Sequence, residues 1–320
     1  MKTAIIGIGV IGNVHMEILL DKGIIPVAIC DVDESRTAKY PNIKAYTDYK
    51  EMLDKEKPDV VHICTPHYLH AEMAIYALER NVNVLCEKPL CMNREEIEAV
   101  LEAEEKSSAQ LAVCFQNRYT PRNLFVKEYL ADKKAVKGYA SLVWARGEAY
   151  YNSAEWRGTK KYEGGGVLIN QAIHTLDRLN EYMGGFDELV ATCSNLSLQG
   201  VIEVEDTATL CLYGEDKQAT FIATNANTFG QPIEITLVTD SGDVLEIVGD
   251  IVKVNGQARE FKAPNYYGKA CYGMGHAPLI EDFYDCVKTG RKFAIDGAEG
   301  AKALRIVLAA YESDGKLVKI

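Results

Sequence analysis

The stretch that most constrains this chain is Thr3 to Gly12, TAIIGIGVIG. A short apolar run gives way to three glycines spaced G-x-G-x-x-G, and helical spacing follows. A strand, a tight turn and a helix in succession use all three glycines. Gly7 permits the turn, Gly9 lets backbone approach a pyrophosphate, and Gly12 lets the helix pack closely on the strand. Val10 and Ile11 open the helix, whose free N–H groups and positive dipole end suit phosphate oxygens. Asp31 ends the second apolar run, 19 residues after Gly12. A carboxylate there accepts hydrogen bonds from both ribose hydroxyls and repels a 2′-phosphate. The expected cofactor is NAD, with NADP second because Arg36 is close by in sequence.

The first ~115 residues repeat this strand-then-helix texture. TAIIGI, PVAICD, VVHICT, VNVLCE and LAVCF are near-continuous apolar runs, as in a parallel sheet covered on both faces. Helical spacing lies between them at 14–21, 49–55, 69–79 and 94–105, the last with Asn93 as N-cap. The fold expected is α/β, with a doubly wound Rossmann domain over residues 1–118. After Gln116 the texture changes. A helical piece at 123–130 leads to YASLVWARGEAY, which alternates like a strand, and then to a glycine-led helix. The runs LVATCSNLSL, TATLCLYG, QATFIATNA, IEITLVTD and DVLEIVG follow without intervening helices. Ser-Gly at 241–242 and Asn-Gly at 255–256 mark hairpin turns. Residues 119–320 are therefore expected to form a second α/β domain with a large, mostly antiparallel open sheet, closed by helices at 278–289 and 298–313.

Composition narrows the function. A chain of 320 residues, 48% hydrophobic, is long enough for two domains. A net charge of −11 argues against a nucleic-acid footprint. Nine cysteines form no C-x-x-C pair and no zinc spacing, so no metal is expected, and the thiols read as reduced and mostly buried in a cytoplasmic protein. No apolar run is long enough for a membrane span.

Two motifs carry chemistry. In CEKPL, Glu87, Lys88 and Pro89 follow an apolar strand, and ligands bind outside the carboxyl ends of strands in open α/β sheets. A lysine there can hydrogen-bond a substrate hydroxyl and favour its alkoxide. The second motif is GGGVLINQAIHTLD, residues 164–177, with Asn170, His174 and Asp177 at i, i+4 and i+7. On an α-helical wheel Ile169, Ala172, Ile173, Leu176 and Met183 form an apolar arc. Gln171, Thr175, Arg178 and Tyr182 form a solvent arc, and the three polar residues lie on the rim between. The glycines ahead of them are expected to let backbone approach a ligand.

Taken together, GIGVIGNVH, TPHYLHAEMAIYALE, CEKPL, WRGT and GGGVLINQAIHTLD, in that order, closely resemble the Gfo/Idh/MocA family. The segment from His276 to Ser313 resembles that family's C-terminus, so the likeness spans essentially the whole chain. The resemblance implies an NAD(P)-dependent dehydrogenase or reductase acting on CH–OH groups of a sugar, sugar derivative or cyclitol. It implies that Lys88 touches substrate hydroxyl and nicotinamide ribose, that His174 is the general acid/base, and that Asn170 positions substrate. Thr65, Pro66 and His70 match the segment lining the nicotinamide, with His67 where the family usually has Asn, and Glu87 precedes the lysine. Trp156 and Arg157 match a Trp-Arg pair near nicotinamide and substrate, and Asn117 and Arg118 sit where the family often lines its cleft. Many family dehydrogenases carry Asp at the place of Asn170, and an amide cannot ionise. Asp177 is expected behind the imidazole, and His276 near the substrate. The resemblance also implies assembly, here a homodimer or homotetramer.

Two other readings use the same residues. One is a redox-neutral, NAD-dependent enzyme that cleaves glycosides through a transient keto-sugar. The other is a non-catalytic sugar or NAD sensor.

Overall fold

A computed structural model describes residues 1–261, 267–268 and 274–320. Its contacts divide the chain into two compact units, Met1–Tyr119 with Ala263–Ala301 and Thr120–Lys262 with Lys302–Ile320. A single cut at 118/119, as read from the sequence, leaves out the return of a late segment to the first unit.

The first unit begins with β1 (Thr3–Ile6), α1 (Val10–Asp21), β2 (Ala28–Cys30), α2 (Glu34–Thr37) and β3 (Lys44–Tyr46). It continues through α3 (Tyr49–Glu56), β4 (Val60–Ile63), α4 (His70–Leu78), β5 (Asn83–Cys86), α5 (Arg94–Lys106) and β6 (Leu111–Val113). The strands form one parallel sheet ordered β3-β2-β1-β4-β5-β6. Chain direction from β1 reverses between β2 and β4, so the loops after β1 and β4 flank the switch point where such folds bind ligands. β1 and β4 are buried throughout, which explains their unbroken apolar sequence. Asn93 caps α5 by accepting from the Glu96 amide at 2.8 Å, and Glu96 accepts in return from Met92 N at 2.9 Å. β3 escaped the sequence reading because it is three residues long and mostly exposed.

The second unit comprises α6 (Pro121–Tyr129), β7 (Ala135–Val143), α7 (Glu148–Tyr151), α8 (Lys160–Glu163) and α9 (Ile173–Met183). Strands β8 (Glu188–Ser194), β9 (Thr207–Gly214), β10 (Lys217–Thr224), β11 (Glu234–Thr239), β12 (Val244–Val248), β13 (Ile251–Val254) and β14 (Gln257–Glu260) follow. The chain closes with α10 (His276–Thr289), α11 (Gly297–Ser313) and β15 (Val318–Lys319). Nine strands form the sheet β14-β13-β12-β11-β7-β10-β9-β8-β15, antiparallel except for β7 beside β10. Gly242 and Asn255-Gly256 turn the chain at positive φ, as those sequences require. Register places Leu210, Phe221, Ala140 and Ile235 in one fully buried row. The neighbouring row, Cys211, Thr220, Tyr139 and Thr236, is half-exposed or exposed. α9 packs against β7, where a side chain at Gly138 would crowd Leu179 at 3.1 Å and Met183 at 3.2 Å.

α10 belongs to the first unit. Tyr284 hydrogen-bonds Thr3 of β1 and His62 of β4, each at 2.9 Å, and Asp282 accepts from Tyr119 at 2.6 Å. No described helix is long and apolar enough to cross a membrane.

Candidate active site

The glycine loop divides its labour. Gly7 has φ +88°, and a Cβ on it would lie 2.6 Å from the Cys64 carbonyl oxygen. A Cβ on Gly12 would overlap the Gly7 carbonyl. Both positions are therefore held glycine by the chain's own packing. At Gly9 the nearest atom to such a Cβ is Arg36 Nη1, 3.9 Å away, so the ground above the loop is open. Gly9 is also the N-cap of α1 and supplies no side-chain acceptor, which leaves the amides of Val10 and Ile11 for an anion. Asp31 is buried and accepts from Ile8 N at 2.8 Å and Asp33 N at 3.0 Å, with Arg36 Nη1 at 3.4 Å. An open glycine beside an uncapped helix start and a fixed carboxylate fits a dinucleotide.

Lys88 is half-buried at the end of β5, and its bond to Pro89 is cis. His70 braces the neighbouring loops: its Nδ1 lies 2.7 Å from the Pro89 oxygen and its Nε2 2.8 Å from the Thr65 oxygen. Burial pushes His70 down in pKa against the pull of those two carbonyls. His67 is buried beside it, with ring centres 6.1 Å apart. Thr65 and Pro66 stay half-exposed. The TPHYLH segment thus leaves Thr65, Pro66, Tyr68 and Leu69 at least partly exposed and buries His67 and His70 as support.

Glu87 is part of a buried chain the sequence did not reveal. Its Oε1 lies 3.1 Å from His15 Nε2 and 3.6 Å from His276 Nε2. His15 Nδ1 meets His62 Nδ1 at 2.9 Å, and His62 Nε2 meets the Tyr284 hydroxyl at 2.9 Å. The two imidazoles beside Glu87 hold its carboxyl well below the usual range despite burial. His276 is buried against this carboxylate. Cys114 joins the group, with ligating atoms of His15, Glu87, Cys114 and His276 all within 4.8 Å. Burial and the adjacent Glu87 push that thiol well above its usual pKa.

In the second unit, the motif of Asn170 and His174 begins with a π-helical turn, Leu168–Ala172, that runs into α9. Between Gly165 and Asn180 the half-buried residues are Asn170 and His174; every other is buried. The solvent arc read from the wheel is absent. Gln171, Thr175, Arg178 and Tyr182 are all buried, as is Asp177. The second face of this helix is covered as well as the first: Tyr182 donates to Asn123 of α6 at 2.7 Å, and Gln171 joins Asn225 at 2.9 Å and Tyr150 at 3.1 Å. A helix buried on both faces has no polar side to read. Burial also lowers the Arg178 guanidinium to about 10.

Two of the three glycines are held by packing and the first by a turn. Gly164 ends α8 at positive φ. A Cβ on Gly165 would overlap the Tyr311 hydroxyl, and one on Gly166 would overlap the Glu205 carbonyl. Glu205 then does the work of a cap: its carboxylate accepts from Gly166 N at 2.8 Å, Leu168 N at 3.0 Å and the Tyr311 hydroxyl at 2.9 Å. Glu163, at the end of α8, accepts from Gly158 N and from Asn170 Nδ2. Arg157 stacks between Tyr150 and Trp156, at 4.4 and 4.6 Å from the ring centres, and donates to the Tyr150 hydroxyl.

The structure therefore gathers Asn170, Arg157, Trp156 and Tyr150 around the half-buried end of the π turn. Asn117 is half-buried, and Arg118 is buried and paired with Glu299 at 2.9 Å. Sequence reasoning missed Tyr150, Glu163, Glu205 and Tyr311. The first two lie in helices of four residues, too short for a periodic signal, and the others meet the motif from remote positions without local spacing.

Comparison with known proteins gives a consistent result. A family model described as oxidoreductase family, NAD-binding Rossmann fold, matches residues 1–115, and one for the GFO/IDH/MocA C-terminal domain matches 136–250. Myo-inositol 2-dehydrogenase of Thermotoga maritima is 24% identical over 98% of this chain and 96% of its own length. D-glucoside 3-dehydrogenase of Escherichia coli is 31% identical over 58% of this chain and 54% of its own. The WlbA dehydrogenase of Chromobacterium violaceum, solved with NADH and UDP-GlcNAcA, superimposes with a TM-score of 0.89 at 25% identity, covering 100% of this chain and 96% of that one.

Proposed function

The chain belongs to the Gfo/Idh/MocA oxidoreductase family, and we propose that it moves hydride between NAD and a secondary hydroxyl or ketone of a sugar, sugar derivative or cyclitol. The observation that carries this reading is the half-exposure of Asn170 and His174 alone in a buried helical run. Packing covers the rest of that run and leaves these two side chains partly exposed. The chemistry a bound nicotinamide supplies is acceptance of hydride from the carbinol carbon. His174 takes the hydroxyl proton, and the ammonium of Lys88 favours the alkoxide. Asn170 holds a neighbouring hydroxyl, and the stacked Arg157 and Trp156 give a sugar ring a flat polar wall. Asp31 favours NAD over NADP, because its carboxylate stands where a 2′-phosphate would add negative charge.

The half-exposed row Cys211, Thr220, Tyr139 and Thr236 suits a copy of the same chain, giving a homodimer or homotetramer. Eight described cysteines, all free, suit a reducing cytoplasm. The test is absorbance at 340 nm with polyols and NAD, or keto-sugars and NADH, alongside light scattering for molecular mass. Tight NAD binding without turnover of any polyol or keto-sugar rejects the dehydrogenase.

A further inference from the structure

We propose that Glu163 sets which end of the Asn170 amide a ligand meets: ionised, it holds the NH2 group and turns the oxygen toward the ligand; protonated, it donates to that oxygen and turns the NH2 outward. This rests on the reading of Asn170 as ligand-facing.

The argument begins with what each neighbour can donate. Glu163 has no exposed surface, and its Oε2 accepts from the Gly158 amide. A backbone N–H only donates, so this oxygen is always the acceptor. The other oxygen, Oε1, faces Asn170. An ionised carboxylate only accepts, so the amide must present Nδ2 to it. Nδ2 then lies 3.4 Å from the Tyr150 hydroxyl, which also receives Gln171 Nε2 at 3.1 Å and Arg157 Nη1. Three N–H groups converge on one hydroxyl oxygen with two lone pairs. If Oε1 carries a proton, the amide turns over. Its oxygen then accepts from Glu163 and from the Tyr150 hydroxyl together, and the crowding at Tyr150 is relieved.

Glu163 can change its charge near neutral pH. Burial raises the Glu163 carboxyl to about 7, against the Gly158 and Asn170 donors and the Arg157 charge, with Glu205 adding to the rise. Among the groups that act on this carboxyl are the Arg157 and Glu205 charges, and Tyr151 of α7 feels its charge in turn.

The consequence is a pH-dependent choice of ligand. An outward oxygen accepts from an alcohol O–H. An outward NH2 donates to a ketone or carboxylate. KM for a polyol should therefore rise as pH falls from 8 to 6, while KM for the keto product falls. Glu163→Gln makes a sharp probe. Its oxygen must take the Gly158 N–H, so its NH2 must face Asn170 and lock the amide in the low-pH orientation.

The experiment measures KM and kcat for polyol oxidation and keto-sugar reduction from pH 5.5 to 8.5 in wild type, E163Q and E163D, with NADH binding and thermal unfolding as controls of folding. Expected for E163Q at pH 8 is a polyol KM about tenfold higher, kcat within about threefold, and flat KM profiles for both ligands. E163D should restore a slope. Wild-type KM profiles in E163Q overturn the inference. If the wild type turns over neither class, the functional reading fails, and infrared difference spectra still decide this one. A protonated carboxyl band titrating near 7 in wild type and missing in E163Q supports it, and a carboxylate ionised from pH 5 to 9 overturns it.

Discussion

His15 and His62 are joined Nδ1 to Nδ1 at 2.9 Å inside the first unit, and neither ring has exposed surface. One hydrogen lies between them, so at least one ring is neutral. The partners order the rest: Thr3 and Tyr284 hydroxyls lead to His62, and His15 leads to Glu87. With both imidazoles neutral, every donor in the chain points toward the carboxylate.

Acid should therefore unfold this protein early. Burial and His15 hold His62 well below its usual 6.5, so the unfolded chain takes up a proton that the folded chain refuses. Stability falls as pH drops below about 6.5, and it is regained above it. His62→Leu should cost about 1–3 kcal/mol at pH 8, because it strands His15 and Tyr284. It should also flatten part of the decline between pH 6.5 and 5, where His70 and His276, shifted the same way, still contribute. Urea unfolding at a series of pH values checks both.

Gly165→Ala and Gly166→Ala should separate by their rescue. Each should destabilise by about 1–3 kcal/mol through overpacking. Gly165 meets a side chain, so adding Tyr311→Ala should recover part of the loss. Gly166 meets the Glu205 backbone, so no side-chain change at 205 should recover it. Thermal melting of the single and double variants reads the difference.

Asp31→Ala should weaken NADH binding about 10- to 100-fold, the worth of a charged hydrogen bond. The discrimination against NADPH should shrink at the same time, with Arg36 left facing the open ground above Gly9. Fluorescence titration with both nucleotides measures it. An unchanged ratio means that Asp31 does not read the ribose.

His174→Ala should lower kcat about 10²- to 10⁴-fold, as loss of a general base does. Because His174 is half-exposed, melting should shift little and NADH should still bind. Stopped assays at high enzyme concentration supply the rate, and titration supplies the affinity.

The parallel sheet was legible, β3 apart, because its inner strands β1 and β4 are buried throughout, and burial writes itself as an unbroken apolar run. Asn93 as a cap and Gly242 and Gly256 as turns were legible for the same local reason: a side-chain acceptor or a positive φ is required there. The helix after the triple glycine was misread in part. Its polar residues Gln171, Thr175, Arg178 and Tyr182 looked like a solvent face, yet all four are buried; Gln171 answers to Asn225 and Tyr150, and Tyr182 to Asn123 of α6, which sequence spacing cannot place beside them. The glycines were assigned to a ligand when Tyr311 and Glu205 needed the room. Local patterns disclose periodicity and turns. They do not disclose which remote side chain arrives to satisfy a buried group.

The central position of β7 bears on the order in which this protein can be made. Lys137 pairs with Gln218 and Val238, so the strand leaves the ribosome long before either neighbour exists. Its hydrogen-bonding edges stay open until β10 and β11 emerge, a delay of seconds at ordinary elongation rates. Pairing on either side of β7 therefore waits for chain made much later. A slow codon placed just after β7 should lengthen that exposure and favour aggregation of nascent chains, whereas the same pause after β11 should be harmless.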